Sequence, residues 1–311
     1  TDTGSGSTTA PAPGGNVLLL SNTTNTITAS QIVIGNNVHA INNVLSLGTG
    51  VNNINANVIN VAGVSGAGRR GNGSILFNAP GGVGLTTIRN QTGAGAAALN
   101  IGQNSANTGA GITGTVDLTG HNVDALFSSV NVGDNAGTTS GNGATTYTHS
   151  FSFDTGLLSI SGLLRIGRKT NTVSNAAQLS TVNLGGGTVN VGSIEIASHT
   201  SSAGTTTANL NVTNGIVNVT GGIVLGNRTG NGISNATTNI TGGTVTVGGN
   251  IDETGNGGST SDITLDGGTL NMSGNNIGGA TPLNAINFRS GTLMNVGQIN
   301  NGATGLTKTT T

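Results

Sequence analysis

The chain of 311 residues carries 56 glycines, only 6% charged residues, no cysteine, no tryptophan and a formal net charge of −1. Globular domains average about 25% charged residues, so this surface must be solvated by Asn, Thr and Ser. The nine basic residues are scattered apart from the doublets Arg69/Arg70 and Arg168/Lys169, which excludes the basic, aromatic-studded stripe of a nucleic-acid groove.

Residues 1–15 form a low-complexity arm of Thr, Ser, Gly and Pro, which reads as a flexible or exchanged tail. No charged-then-apolar leader stands before Thr1, so an export signal is expected to be removed or to lie outside this numbering. The absence of cysteine fits secretion without establishing it. Val17, Leu18, Leu19 and Leu20 then make one apolar strand, a cap or a first rung. Residues 16–113 read as irregular coils of short strands that often end in glycine: 31–35, 44–48, 58–63 and 99–102. Segments 66–73 and 93–98 read as surface loops. Residues 114–120 match the second strand of the later repeat and 130–133 the third, which makes 121–129 an insertion and 134–146 an outward loop.

From Phe151 to Ile299 one unit occurs six times, marked by Gly156, Gly187, Gly215, Gly243, Gly268 and Gly291 at spacings of 31, 28, 28, 25 and 23 residues. Three residues before these glycines stand Phe153, Leu184, Val212, Ile240, Leu265 and Phe288; five before, only Thr238 is polar. Two after come Leu158, Val189, Val217, Val245, Leu270 and Leu293. Apolar residues two apart lie on one face of a strand, so each unit reads as three short strands with corners at Gly, Asn and Thr. A unit this small cannot bury its own apolar face and must stack on its neighbours. The predicted fold is therefore an all-β, right-handed parallel β-helix with three short strands per coil; a β-sandwich or up-and-down barrel is the rival. Disorder, the other reading of so biased a composition, conflicts with this register. The regular block runs over 114–300, and 301–311 is a tail or the start of a further repeat, in one elongated domain.

The units Gly-Gly-Gly-Thr-Val-Asn-Val-Gly (185–192), Gly-Gly-Thr-Val-Thr-Val-Gly-Gly (242–249) and Gly-Gly-Thr-Leu-Asn-Met-Ser-Gly (267–274) resemble the autotransporter-associated β-strand repeat, as does 222–230. The likeness covers 114–308 and extends to the first hundred residues only in style. It implies a large secreted or surface-displayed passenger of Gram-negative bacteria folded as a β-helix, and it carries no catalytic residues to transfer. Residues 305–308 resemble the opening of a further repeat, which implies a fragment, a processed passenger or another way of closing the end.

A search for chemistry yields candidates that each have a simpler reading. Asp252 and Glu253 are adjacent, hence on opposite sides of a strand, and read as a solvated corner. Asp262 and Asp266 could share a face, but Asp266 falls at a turn. Asp117, His121 and Asp124 form a metal-like cluster without recognised ligand spacing, so a polar turn is the simpler reading. The 133–137 stretch lacks the tandem copies of a calcium nonapeptide. His39, His121, His149 and His199 are too far apart in sequence to argue a triad, and the glycine-rich turns lack the Lys-Ser/Thr ending of a phosphate loop. Asn211, Asn227 and Asn239 stand in Asn-x-Thr acceptor sequons.

No catalytic, cofactor or metal residues are therefore assigned. The expected function is a non-enzymatic extracellular structural protein, a self-assembling subunit of a surface filament or coat. The alternative is an adhesin passenger that binds a surface or glycan through its loops; a polysaccharide-active enzyme is disfavoured by the scarcity of acids and aromatics. The expected partner is the chain itself, joined head to tail, with no nucleic acid and no membrane insertion, since no stretch reaches the ~20 apolar residues of a membrane helix or shows alternating membrane strands. The assembly residues would be Val17, Leu18, Leu19 and Leu20 at one end and Leu293, Val296 and Ile299 at the other. An end strand can add to a neighbour's open edge or cap its own subunit. Ice binding would need Thr-x-Thr ranks at fixed phase, which the sequence does not display.

Overall fold

The computed structural model describes residues 15–36, 41–63, 71–104, 112–135, 146–170, 177–200, 203–254, 257–279, 281–300 and the backbone of 307–308. The described residues form an all-β stack in which the strand pairings are parallel and join segments one coil apart. The architecture is a parallel solenoid, consistent with the right-handed β-helix expected. Parallel pairing rules out an up-and-down barrel, whose neighbours run antiparallel. No helix among these residues is long and apolar enough to cross a membrane.

Three faces run along the stack. The first collects Asn16–Leu19, Asn42–Leu47, Asn72–Phe77, Thr113–Leu118, Thr146–Phe153, Ala177–Leu184, Thr205–Val212 and Ile233–Ile240, then the opening halves of Ser259–Asn271 and Ala285–Met294. The second includes Gly82–Arg89, Ile216–Val219 and Thr244–Val247, together with the opening parts of longer strands such as His121–Asn135. The third takes the closing parts of those long strands together with Ala97–Asn104, Ile223–Leu225 and Ile251–Glu253, and continues as single bridges at Ile277 and Ile299.

Alternation explains the core. On the first face Phe153, Leu184, Val212, Ile240, Leu265 and Phe288 pair in one continuous column, as their spacing predicts, and Leu118 extends it below Phe153. Phe153 through Leu265 are buried and Phe288, near the end of the stack, is half-buried. Burying each such side chain contributes about 1.5–3 kcal/mol, and stacking makes one apolar interior of many small units.

One expectation needs correction. Residues 121–129 are no insertion: Val123, Ala125 and Phe127 pair with Gly156, Leu158 and Ile160 and form the second face, while Thr113–Leu118 belongs to the first. His121 takes the first inward position of the row that Val123, Ala125 and Phe127 continue, which hides the start of the strand. Gly268 keeps the predicted register, since Thr269 pairs with Thr244 and Thr292, while the left-handed φ of the fifth corner falls one residue earlier, at Gly267 (+114°). Between residues 16 and 104 the strands keep the same three-face pairing, Asn16 on Asn43 and Val61 on Ile101 for example, so the loose spacing seen in the sequence lies in the connections.

The structure adds a column that the glycine register did not contain. Gly35, Ala62, Gly102, Gly133, Gly167, Ala197 and Gly226 each follow the third-face strand with φ between +58° and +82°. This left-handed corner turns the chain so that one more pair of residues can stack: Asp134/Asn135, Arg168/Lys169 and Ser198/His199. Only glycine takes that conformation without a Cβ penalty.

Candidate functional site

The residues expected to carry assembly occupy opposite ends of the stack and do not meet within one molecule. Asn16–Leu19 pairs with residues 43–46 of its own chain, and Leu20 N–H donates to Ser46 O at 2.8 Å. Within one chain this strand takes the capping arrangement. Val17, Leu18 and Leu19 remain 63%, 58% and 63% exposed on that terminal rung, with Leu20 packed against the core. At the other end Leu293, Val296 and Ile299 are half-buried against the same core. Leu293 pairs with Leu270 and Ile299 bridges Ile277. Thr307–Lys308 lies parallel on Asn287 and Phe288, so this edge accepts a further rung in the common register.

The acidic candidates are dispersed among separate structural roles. Asp117 Oδ1 accepts from the backbone N–H (3.1 Å) and hydroxyl (2.7 Å) of Thr119 in a tight turn. His121 stacks on Phe77 with ring centroids 3.7 Å apart, and its Nε2 lies 2.8 Å from Ala79 O. Asp124 pairs with Arg89 one rung away. Asp134, read as a loop residue, is a strand residue: Arg168 Nε donates to its Oδ1 at 2.7 Å. Asp262 is half-buried, and burial pushes its pKa up. Asp266 sits at the register shift, accepting from Ser290 Oγ at 2.9 Å, with Arg289 4.0 Å away. Among the described residues no group of three His, Asp or Glu side chains is placed to hold a metal ion.

Asp252 and Glu253 do split to opposite sides, but Glu253 is not a solvated corner. It pairs with Leu225 in the inward row, is only 7% exposed, and accepts a hydrogen bond from the Ser261 hydroxyl. Burial pushes its pKa up, against the Ser261 hydrogen bond.

A buried polar seam runs where the third face meets the first. The His149 imidazole sits over Gly102, Gln178 and Ser180 over Gly133, and Thr206 over Gly167. Ser234 donates to Ala197 O, and Ser259 Oγ to Gly226 O at 3.2 Å. Opposite them Lys169 and His199 stack in register, both fully buried, and His199 Nδ1 lies 2.8 Å from Thr206 Oγ1. Burial lowers His149 to about 3; burial and then the Lys169 charge lower His199 to about 4; burial lowers Lys169 to about 8. Sequence reading missed this seam. Its signal is the alternation Gln178-x-Ser180, Thr206-x-Ala208 and Ser234-x-Ala236 upstream of each apolar pair, which looks solvent-facing until the corner is known. His39, Arg69 and Arg70 lie outside the described residues.

Outside, amides and charges bridge rung to rung. Asn239 donates to Asn211 (3.0 Å) and Asn211 to Asn183 (2.9 Å). A longer ladder runs from Asn60 through Asn100 and Asn131 to Arg165, Glu195, Asn227 and Thr254. The Nδ2 atoms of Asn211, Asn227 and Asn239 are thus committed as donors within ladders, against their use as glycan acceptors. Comparison with protein-family models, curated proteins and solved structures finds no match.

Proposed function

We propose that this chain is a non-enzymatic structural rod of the cell exterior that stacks head to tail into a filament or coat. The observation that carries the reading is the direction of its polar chemistry. Asp124, Asp134 and Glu195 each pair with an arginine of a neighbouring coil, and the amide ladders point along the axis, so these groups hold rung to rung. The repeat's resemblance to autotransporter-associated passengers supports an exterior location. Stacking is supported by the terminal rungs: one presents Val17, Leu18 and Leu19, and the other leaves Leu293, Val296 and Ile299 only half-buried. With Asn16–Leu19 seated on its own chain, the proposed contact is a rung-on-rung junction between two copies of this chain. Such a heterologous contact propagates unless it closes into a ring.

Lysines on an edge strand block pairing without disturbing the interior. The double variant Val17→Lys/Leu19→Lys should therefore abolish filaments seen by electron microscopy while leaving the far-UV circular dichroism of the subunit unchanged. Wild-type protein that stays monomeric at every concentration, or filaments indifferent to the two lysines, would overturn the proposal.

A further inference from the structure

The corner between the second and third faces carries a groove of about 570 Å³, within the size range of ligand sites. Its floor is one outward row, Leu126 on Ser159 on Asn190, and Ser161, Gly192 and Thr220 form its side. The lining runs from Ala96 to Thr220 over four rung steps of about 4.8 Å, so the groove is about 19 Å long and lies along the axis. At its lower end the coil bulges through a loop that Asn90 holds, its Oδ1 accepting from the backbone N–H groups of Thr92 (3.2 Å) and Gly95 (3.0 Å).

Two features define what fits. First, no ionisable residue lines the groove, and the charges on both flanks are already neutralised: Arg89 by Asp124 on one side, Arg165 by Glu195 on the other. An ionic ligand would find no counter-charge there. Second, the hydroxyls of Ser159, Ser161 and Thr220 have no hydrogen-bond partner among the described residues, unlike the ladder groups of the outer faces. Asn190 is engaged through its Oδ1, which accepts from Asn218 at 2.9 Å. An extended peptide would recognise a sheet through unpaired backbone groups, but the strands flooring the groove are paired to the rungs on either side. A chain of neutral, hydroxylated rings matches instead: hydroxyls against Ser159, Ser161 and Thr220, and a C–H face against Leu126 and Ala96.

We propose that this groove binds a segment of a neutral linear polysaccharide lying along the solenoid axis. The proposal does not depend on polymerisation, so it is tested on the monomeric Val17→Lys/Leu19→Lys protein. Cellopentaose, xylopentaose and maltopentaose are titrated by calorimetry and by amide chemical-shift perturbation, with oligogalacturonate as the charged comparison. Saturable binding of at least one neutral probe is expected, with shifts confined to the lining at Ala96, 126–127, 159–161, 190–192 and 220–221. Affinity should fall about tenfold or more in Thr220→Arg and in Ser161→Arg, both at exposed positions where an arginine fills the groove without entering the core. Failure of all three neutral probes to bind, equal binding of oligogalacturonate, or binding indifferent to both arginines would overturn it.

Discussion

Arg165 joins three rungs: its Nε donates to Glu195 Oε2 at 2.6 Å on the next coil, and its Nη1 reaches Asn131 Oδ1 at 3.3 Å on the coil before. Both ion-pair partners are largely buried, and Asn227 adds a 2.7 Å hydrogen bond to the other Glu195 oxygen. Burial alone would raise the Glu195 pKa, but the hydrogen bonds from Arg165 and Asn227 and the Arg165 charge outweigh it and hold the carboxyl below its ordinary value. Removing one partner strands the other charge. Arg165→Ala should therefore lower stability by about 2 kcal/mol, less than a fully buried pair because the site keeps some solvent. The stabilisation by Glu195 is present above the unfolded carboxyl pKa and is lost as pH falls through the lower folded value. Urea midpoints of wild type and Arg165→Ala should accordingly converge in acid.

Thr238 is the one polar member of its inward column, between Leu210 and Ile263, with its hydroxyl buried and unpartnered. Thr238→Val keeps the shape and removes an unsatisfied group. The variant should gain about 1 kcal/mol, read as a higher urea midpoint with an unchanged slope. A loss of stability would show that the hydroxyl is satisfied in solution.

The buried seam makes stability depend on pH in two separate windows. His149 and His199 have folded pKa values of about 3 and about 4, while the unfolded imidazole titrates near 6.5. Below about 6.5 the unfolded chain takes up protons that the folded chain refuses, so stability falls by about 1.4 kcal/mol per pH unit for each histidine. Lys169 has a folded value of about 8 against about 10.4 unfolded, so stability should rise between those limits as the unfolded chain gives up its extra proton. Denaturation from pH 4 to pH 10 should show both slopes, and His149→Gln should about halve the acidic one, leaving the His199 share, with the alkaline one unchanged.

Two glycines of the left-handed corner column separate strain from crowding. At Gly133 (φ +76°) a Cβ would run into Ser180 Oγ and Gln178 Nε2; at Gly226 (φ +60°) the nearest atom, Ser259 Cβ, is 3.3 Å away. Gly133→Ala should cost about 3 kcal/mol from strain and overpacking together, and Gly226→Ala about 1 kcal/mol from strain alone. Equal midpoint shifts for the two variants would contradict the packing described for the seam.

The apolar column from Phe153 to Phe288 was legible in the chain itself, because a strand's period of two and a recurring glycine corner leave one arrangement in which every apolar pair is covered. Alternation also placed Asp252 and Glu253 on opposite sides. It left open which side faces inward, and only the stacked coils decided that Glu253 enters the row of Leu225 while Asp252 stays out. The same ambiguity concealed the Gln178, Ser180 and Thr206 seam, whose polar residues point inward against the left-handed corner. Partners across rungs were likewise unreadable, since connections of different length separate Arg165 from Asn131 by 34 residues and from Glu195 by 30. Periodicity determined that strands stack; the three-dimensional register determined which side chains meet, because hydrogen bonds between coils act across rungs a few ångströms apart while the connecting chain varies in length.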